Sequence, residues 1–323
     1  MLGQPRSAGQ LQRDQEEPFF RTLAERTGLP LVVRYLPADA YGLKDNHQLE
    51  AIRDGRLDIV SLRFMQNMEK EPGLEGMDLP GMVTTFAEAR QVARAYSRTL
   101  DRYLQSNHGG KLLGIWSFGP QVMFCRRHID DLRGISGRRI RVASPGLAKV
   151  IAALGGIPVV LPFADTREAL ALGMVDCGVT SAASGAFAGW GDYTESYYPL
   201  VFQFGFNGYV MSLKRWNLLS SDQKDKLEKA FQGYNESLWR YSETLQRQSE
   251  RCILSGHCQL IRSARHRAVP VKPQDIQLLQ SISQQIALPS WLERCQRRHP
   301  DCRQAWQRDI APFSALPPQA KQQ

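Results

Sequence analysis

The residues whose types and spacing suit chemistry here are an arginine, two amides and a run of hydroxyls placed at strand ends. The chemistry they suit is the holding of an anion. In the stretch 137–155, Ile140 and Val142 alternate with Arg139, Arg141 and Ala143 at the period of a strand with two unlike faces. Ser144-Pro145-Gly146 breaks the strand, and Leu147, Val150, Ile151 and Leu154 then recur at helical spacing up to Gly155. Arg141 thus falls at the carboxyl end of a strand beside a helix N-terminus, a good position for an anion. From these residues alone, a rim arginine in a surface ion pair is the favoured alternative. A second strand, Val175–Thr180, runs into Thr-Ser-Ala-Ala-Ser-Gly, hydroxyls that either meet a ligand or cap the next helix. With Gln121, Asn207, Phe64, Phe118 and Trp190, these residues make up the polar and aromatic equipment of a binding cleft.

No catalytic set accompanies them. The sequence has no Gly-x-Gly-x-x-Gly after a strand, no phosphate-loop Gly-Lys-Ser and no Gly-x-Ser-x-Gly elbow. Asp58 and Asp176 open strands after short turns and read as turn acceptors, not as a general acid/base pair. No cofactor or metal is expected.

The elements that must position these residues alternate strand with helix, which predicts α/β layers. Pro18 opens a helix closed by Gly28, Leu31–Tyr35 reads as a strand, Asn46–Arg53 as a short helix and Leu57–Leu62 as a buried strand. Phe86–Leu104 is a helix. Lys111–Trp116 and Gln121–Arg126 are strands around Gly119-Pro120, where the chain is expected to cross from one domain to another. Asp165 is expected to cap a helix over 166–173, and Pro158–Leu161 is a strand. Tyr198–Phe204 and Tyr209–Leu213 are strands flanking Gly205–Gly208. Ser220 and Gln223 suit a capping box for a helix whose apolar positions keep period to Cys252. About 30 residues of helix span some 45 Å, long enough to brace two domains. Pro273–Ile286 and Ser290–Phe313 are the last helices, and 317–323 is a polar tail.

The chain's 323 residues suffice for two domains with real cores, and no apolar run reaches the roughly 18 residues of a membrane span. Its net charge of +9 is scattered, densest over 262–267 and 294–303, so a solvated basic face is expected and nucleic acid is not. Cys252 and Cys258 enclose Ser-Gly-His, and Cys295 and Cys302 enclose His-Pro-Asp. Close pairs around turns read as staples formed in an oxidising compartment. A zinc site with His257 or His299 is the weaker reading, because neither spacing is Cys-x-x-Cys. Cys125 and Cys177, in apolar strands, are either buried thiols or a third bridge. Residues 1–15 are polar and carry no export signal, which a chain working outside the cytoplasm needs from elsewhere.

Taken in order, Gly137–Val142, Leu147–Gly155, Pro162-Phe163, Ala169-Leu170, Gly173-Met174-Val175-Asp176, Trp190, and Leu213, Trp216 and Leu218–Gln223 ahead of the long helix resemble the DctP-type substrate-binding proteins of tripartite ATP-independent periplasmic (TRAP) transporters. The resemblance covers roughly residues 3–310. It implies two α/β domains with a ligand cleft between them, as in periplasmic binding proteins, joined by crossing strands and one long bridging helix. The implied division is 1–118 plus 208–248 for domain I, 119–207 plus 249–313 for domain II, and 314–323 as tail. The family's carboxylate-binding arginine falls on Arg141. A second arginine of some members is Gln121 here, the family's frequent Asn is Thr180 and its Gly is Cys177. The family's first strand starts ahead of Gly3, so upstream residues are expected to extend it.

What the resemblance implies is a periplasmic receptor that captures a small organic acid, closes on it about hinges near Gly119 and Gly205–Gly208, and hands it to membrane subunits driven by an ion gradient. A monomer is expected. Arg141 would carry the carboxylate, Gln121 and Thr180 would donate to it, Asn207 would hold the ligand's other polar end, and Phe64, Phe118 and Trp190 would wall the cleft. One arginine favours a monocarboxylate, with Arg63 as a source of a second charge. The alternative is a ligand-sensing domain of a signalling system with the same fold. An enzyme, such as a hydrolase on an α/β scaffold, lacks its nucleophile–base set.

Overall fold

Alternating apolar strands and amphipathic helices assemble two sheets in the computed structural model, which describes residues 1–256 and 265–316. The strands are β1 (Leu2–Gly3), β2 (Leu36–Pro37), β3 (Ile59–Arg63), β4 (Gly110–Ser117), β5 (Gln121–Cys125), β6 (Arg139–Val142), β7 (Ile157–Val160), β8 (Cys177–Ser181), β9 (Ser196–Gln203), β10 (Phe206–Ser212) and β11 (Arg267–Ala268). The first sheet has the order β2-β1-β3-β10-β4 and the second β11-β9-β5-β8-β6-β7. Both are mixed: β10 runs antiparallel to β3 and β4, and β5 antiparallel to β8 and β9. Each sheet is the centre of one lobe.

The chain passes between the lobes twice through adjacent strands. It leaves the first sheet at Ser117 and enters the second at Gln121, as expected for Gly119-Pro120, and it returns between Gln203 and Phe206. The two crossings are laced together. Phe118 N–H donates to Gly205 O at 3.2 Å, the Ser117 hydroxyl donates to Phe204 O, and Gln121 pairs with Gln203 across β5 and β9. Shared backbone hydrogen bonds make the two crossings one two-stranded ribbon, so they must flex as a unit.

The longest helix, Ser221–Ser255, spans 35 residues, opens on the expected Ser220–Gln223 capping box and stops at Gly256 in the left-handed region. Leu227, Phe231, Tyr234 and Leu238 lie buried along it, and it packs on β4 in one lobe and on the helix Ala182–Phe187 in the other. A bulge fixes it to β4: the register shifts opposite Tyr209 and Val210. The carbonyls of Leu113 and Ile115 there accept from the Asn235 amide at 3.2 Å and the Trp239 indole at 3.0 Å. Gly114 is required at the bulge, because a Cβ there would fall 1.7 Å from Asn235 Nδ2.

Three sequence expectations shift. Leu31–Tyr35 forms no ladder; pairing is confined to Leu36 and Pro37, which run parallel to Leu2 and Gly3 of β1. Asp165 is not an N-cap: the helix starts at Phe163, and the Pro162 carbonyl already accepts from the Asp165 N–H. The region 290–313 is not one helix. It divides into Leu288–Arg298 and Cys302–Asp309, where the His299 ring turns in to Glu71 Oε1 at 2.6 Å. Burial works against ionisation of Glu71, but its bonds from His108 and His299 outweigh that and hold its pKa near about 2. The last segment folds back on the helix Phe86–His108, with Thr99 and Tyr103 donating to Asp309 and Asp301.

Cys125 and Cys177 resolve as a third bridge and not as thiols: they face each other across β5 and β8. Cys295 and Cys302 are bridged as expected. The expected Cys252–Cys258 pair involves residue 258, and the tail 317–323 likewise lies outside the described residues. His299 bonds Glu71 and stacks on Tyr103, and among the described residues no cluster suits a metal ion.

Candidate ligand-binding cleft

Where the crossing ribbon meets both sheets, strand ends from the two lobes converge on one cavity. The first lobe supplies Arg63 at the end of β3, then Phe64, Met65 and Gln66. The second supplies Gln121, Arg141, Thr180 and Phe163. Phe118, Gly205, Phe206 and Asn207 come from the ribbon itself. The cavity adjoins a wider cleft between 38–46 and 65–70 on one side and 143–149 and 160–165 on the other.

Arg141 dominates the electrostatics. It is 2% exposed, and Nε donates to Leu161 O and Nη1 to Val179 O, each at 3.1 Å. Its Nη2 is buried with no hydrogen-bond partner. Among the described residues no carboxylate pairs with it, which rules out the surface ion pair that the sequence also allowed. Burial, and then the like charge of Arg63, push the guanidinium down to about 10, so it remains a cation at neutral pH. A buried cation without a counter-charge is costly, and the protein holds this one with neutral carbonyls and ring faces. Phe163 and Trp190 each lie 5.9 Å from its central carbon.

Arg63 differs. Its Nη1 donates to Asp45 Oδ2 and its Nε to Gln4 Oε1, both at 2.8 Å. Gln121 and Asn207 each use one amide donor on a ribbon carbonyl, Gly119 O at 2.9 Å and Gly205 O at 3.0 Å. Gly205 has φ +63, and a Cβ there would lie 2.4 Å from Gln121 Nε2, so the turn and the amide require glycine together. Thr180 is 4% exposed on β8, directly opposite Val122.

The structure therefore gathers Arg141, Gln121, Thr180, Asn207, Phe64, Arg63 and Phe118 at one cavity, and leaves Trp190 out. Trp190 is fully buried behind Arg141, against Phe124 and Phe163 with ring centroids at 6.0 and 5.6 Å. Gly178 makes its space, since a Cβ there would come within 2.7 Å of the indole. Phe163, one residue into its helix, takes the wall position instead. Sequence reasoning did not single out Phe163, Phe206, Met65 or Gln66 as lining residues; their signal was adjacency to Leu161, Asn207 and Phe64.

It also missed a buried carboxylate behind the ribbon. Asp78 accepts from Phe204 N at 2.6 Å and Gly205 N at 3.1 Å, while its own carbonyl accepts from Gln203 Nε2. Full burial raises its pKa to about 7, against the lowering effect of those N–H groups. Three residues earlier, fully buried Glu75 accepts the Gly146 N–H at 2.6 Å and pairs with Arg294, tying the loop 71–78 to the helix after Arg141.

Residues 2–275 match the profile of the DctP family, bacterial extracellular solute-binding protein, family 7. The chain belongs to this family. Solved structures give the same fold. A solute receptor of Bordetella pertussis that binds pyroglutamic acid superposes with TM-score 0.82 at 18% identity, over 95% of this chain and 98% of the other. A TRAP periplasmic solute-binding protein of Desulfovibrio salexigens with bound orotic acid gives 0.84 at 16%, over 97% and 98%. One from Rhodoferax ferrireducens with bound malonate gives 0.81 at 17%, over 96% and 99%. A search of the curated proteins returns no match. This family-7 protein is thus a solute receptor with two lobes, and no helix among its described residues is long and apolar enough to cross a membrane.

Proposed function

We propose that this protein is the periplasmic receptor of a TRAP-type transporter, and that it captures a small organic acid by its carboxylate on Arg141. The observation that carries the reading is the buried guanidinium with an unpartnered Nη2 at an interlobe cavity. A ligand carboxylate supplies both the missing counter-charge and the missing acceptor. A charge-assisted bond in a site closed to water contributes more than an exposed pair. Gln121 and Thr180 add neutral donors, Asn207 meets the ligand's far polar end, and Phe64, Phe118 and Phe163 wall its body. That related receptors carry small carboxylic acids, pyroglutamate and orotate among them, supports a carboxylate site.

In this reading the receptor delivers the acid to membrane subunits driven by an ion gradient and carries out no chemical step, a role that its family membership supports. The bridges Cys125–Cys177 and Cys295–Cys302 favour an oxidising compartment. The working division is 1–118 plus 208–248 against 119–207 plus 249–313, except that the helix Cys302–Asp309 crosses back to pack on Phe86–His108 of the first lobe. A thermal-shift screen of small acids tests the reading. An acid at a hundred times its dissociation constant should stabilise the protein by about 2.7 kcal/mol. Equal response to an acid and its neutral amide would count against a carboxylate site.

A further inference from the structure

Arg63 and Arg141 both line the cavity, yet the protein treats them differently. Arg141 meets carbonyls only. Arg63 meets a carboxylate, Asp45 Oδ2, at 2.8 Å, and a side-chain amide, Gln4 Oε1, at 2.8 Å. The ion pair is sheltered, with the Arg63 side chain 13% and Asp45 26% exposed. Its partners are fixed from behind. Asn67 Nδ2 donates to Asp45 O at 3.1 Å and to Arg63 O at 2.8 Å, and Gln48 Oε1 accepts the Arg63 N–H. Asp45 thus already neutralises the second cation of the cavity, the charge that a second ligand carboxylate would need.

We propose that Asp45 sets the charge class of the ligand: by holding Arg63 it leaves Arg141 as the one uncompensated cation among the lining residues, and the site takes a monocarboxylate in preference to the matching dicarboxylate. The inference rests on the carboxylate reading of Arg141 and narrows it. A second ligand carboxylate would either displace Asp45 from Arg63 or share that guanidinium with it, placing two anions side by side at a sheltered ion pair. Both are unfavourable. Arg63 still has donors beyond Nε and Nη1, enough for a neutral carbonyl or hydroxyl on the ligand. The lining rings of Phe64, Phe118, Phe163 and Phe206 offer flat apolar surface to the rest of the molecule.

The test is titration calorimetry with a panel of small acids arranged as matched pairs, among them benzoate and isophthalate, and butyrate and succinate. The wild-type protein should bind the monoacid of a pair at least about tenfold more tightly than the diacid. Asp45→Asn should shrink that ratio by about tenfold or more, mainly by gaining diacid affinity as Arg63 is released. Asp45→Ala, checked for an unchanged melting transition, gives the same reading if the asparagine variant folds poorly. A wild-type preference for diacids, or a ratio that neither variant moves, overturns the inference and leaves the carboxylate reading intact. A wild-type protein that binds no acid of the panel overturns both.

Discussion

Replacing Asp78 by asparagine should remove a pH dependence that the ribbon builds into the fold. The carboxyl is fully buried beneath the second crossing and accepts the N–H groups of Phe204 and Gly205. Its pKa is about 7 in the native protein against an ordinary value of 3.8. Between those two pH values the native state keeps a proton that the unfolded chain has lost. Stability from this group is therefore complete below about pH 4 and falls as pH rises toward 7. At about 1.4 kcal/mol per pH unit, over about three units, the full effect is ~4 kcal/mol, an upper figure because a relaxing hinge reduces it. The asparagine keeps one acceptor and does not titrate. Urea melts at pH 4, 5, 6 and 7.5 should show the difference in stability between wild type and Asp78→Asn changing by that order, with no further change above pH 7.5. Parallel curves would mean that Asp78 is ionised throughout, and would refute the argument that burial governs it.

Three more outcomes follow from the same contacts. The Cys125–Cys177 bridge closes a separation of 52 residues, so the double alanine variant should lose about 4 kcal/mol of stability, read by denaturant melts. Gly205→Ala must accommodate a φ of +63 and a Cβ 2.4 Å from Gln121 Nε2, so it should cost about 1–3 kcal/mol and weaken ligand binding by displacing that amide. Saturating ligand should reduce the radius of gyration in solution scattering, because the lobes are joined by one laced ribbon and one long helix; an unchanged radius would exclude closure about the ribbon.

Much of this architecture is legible in the sequence because its signals are local. Gly119-Pro120 marks the first crossing, Ser220 and Gln223 mark the start of the bridging helix, and the Ser-Pro-Gly break sets Arg141 at a strand end. Local signals could not decide whether Cys125 and Cys177 are paired, since the pairing depends on strand register across 52 residues. They misplaced Trp190, because an indole beside a cleft and an indole behind one have the same sequence context. Which lies behind is settled by Gly178 on a neighbouring strand. Asp78 and Glu75 went unread because Gly- and Pro-rich surroundings resemble an exposed loop, while the structure buries both acids completely under hydrogen bonds from distant segments. Asp45 was equally silent: its partner Arg63 is 18 residues away in sequence and 2.8 Å away in space.

The most direct test of the account is the affinity of Arg141 variants for the acid that shifts the melting transition most. Arg141 meets only carbonyl oxygens and ring faces within the protein, so Arg141→Met should leave the unliganded protein at least as stable as wild type. Binding should respond in the opposite sense. Without the guanidinium the ligand carboxylate is desolvated and unpaired, at a cost of about 2–5 kcal/mol, so calorimetry should record a loss of at least thirtyfold, on the order of 2 kcal/mol. Arg141→Lys should recover part of it, because an ammonium restores the charge without the two-point fork. A folded Arg141→Met protein that binds the acid with unchanged affinity would contradict the account at its centre.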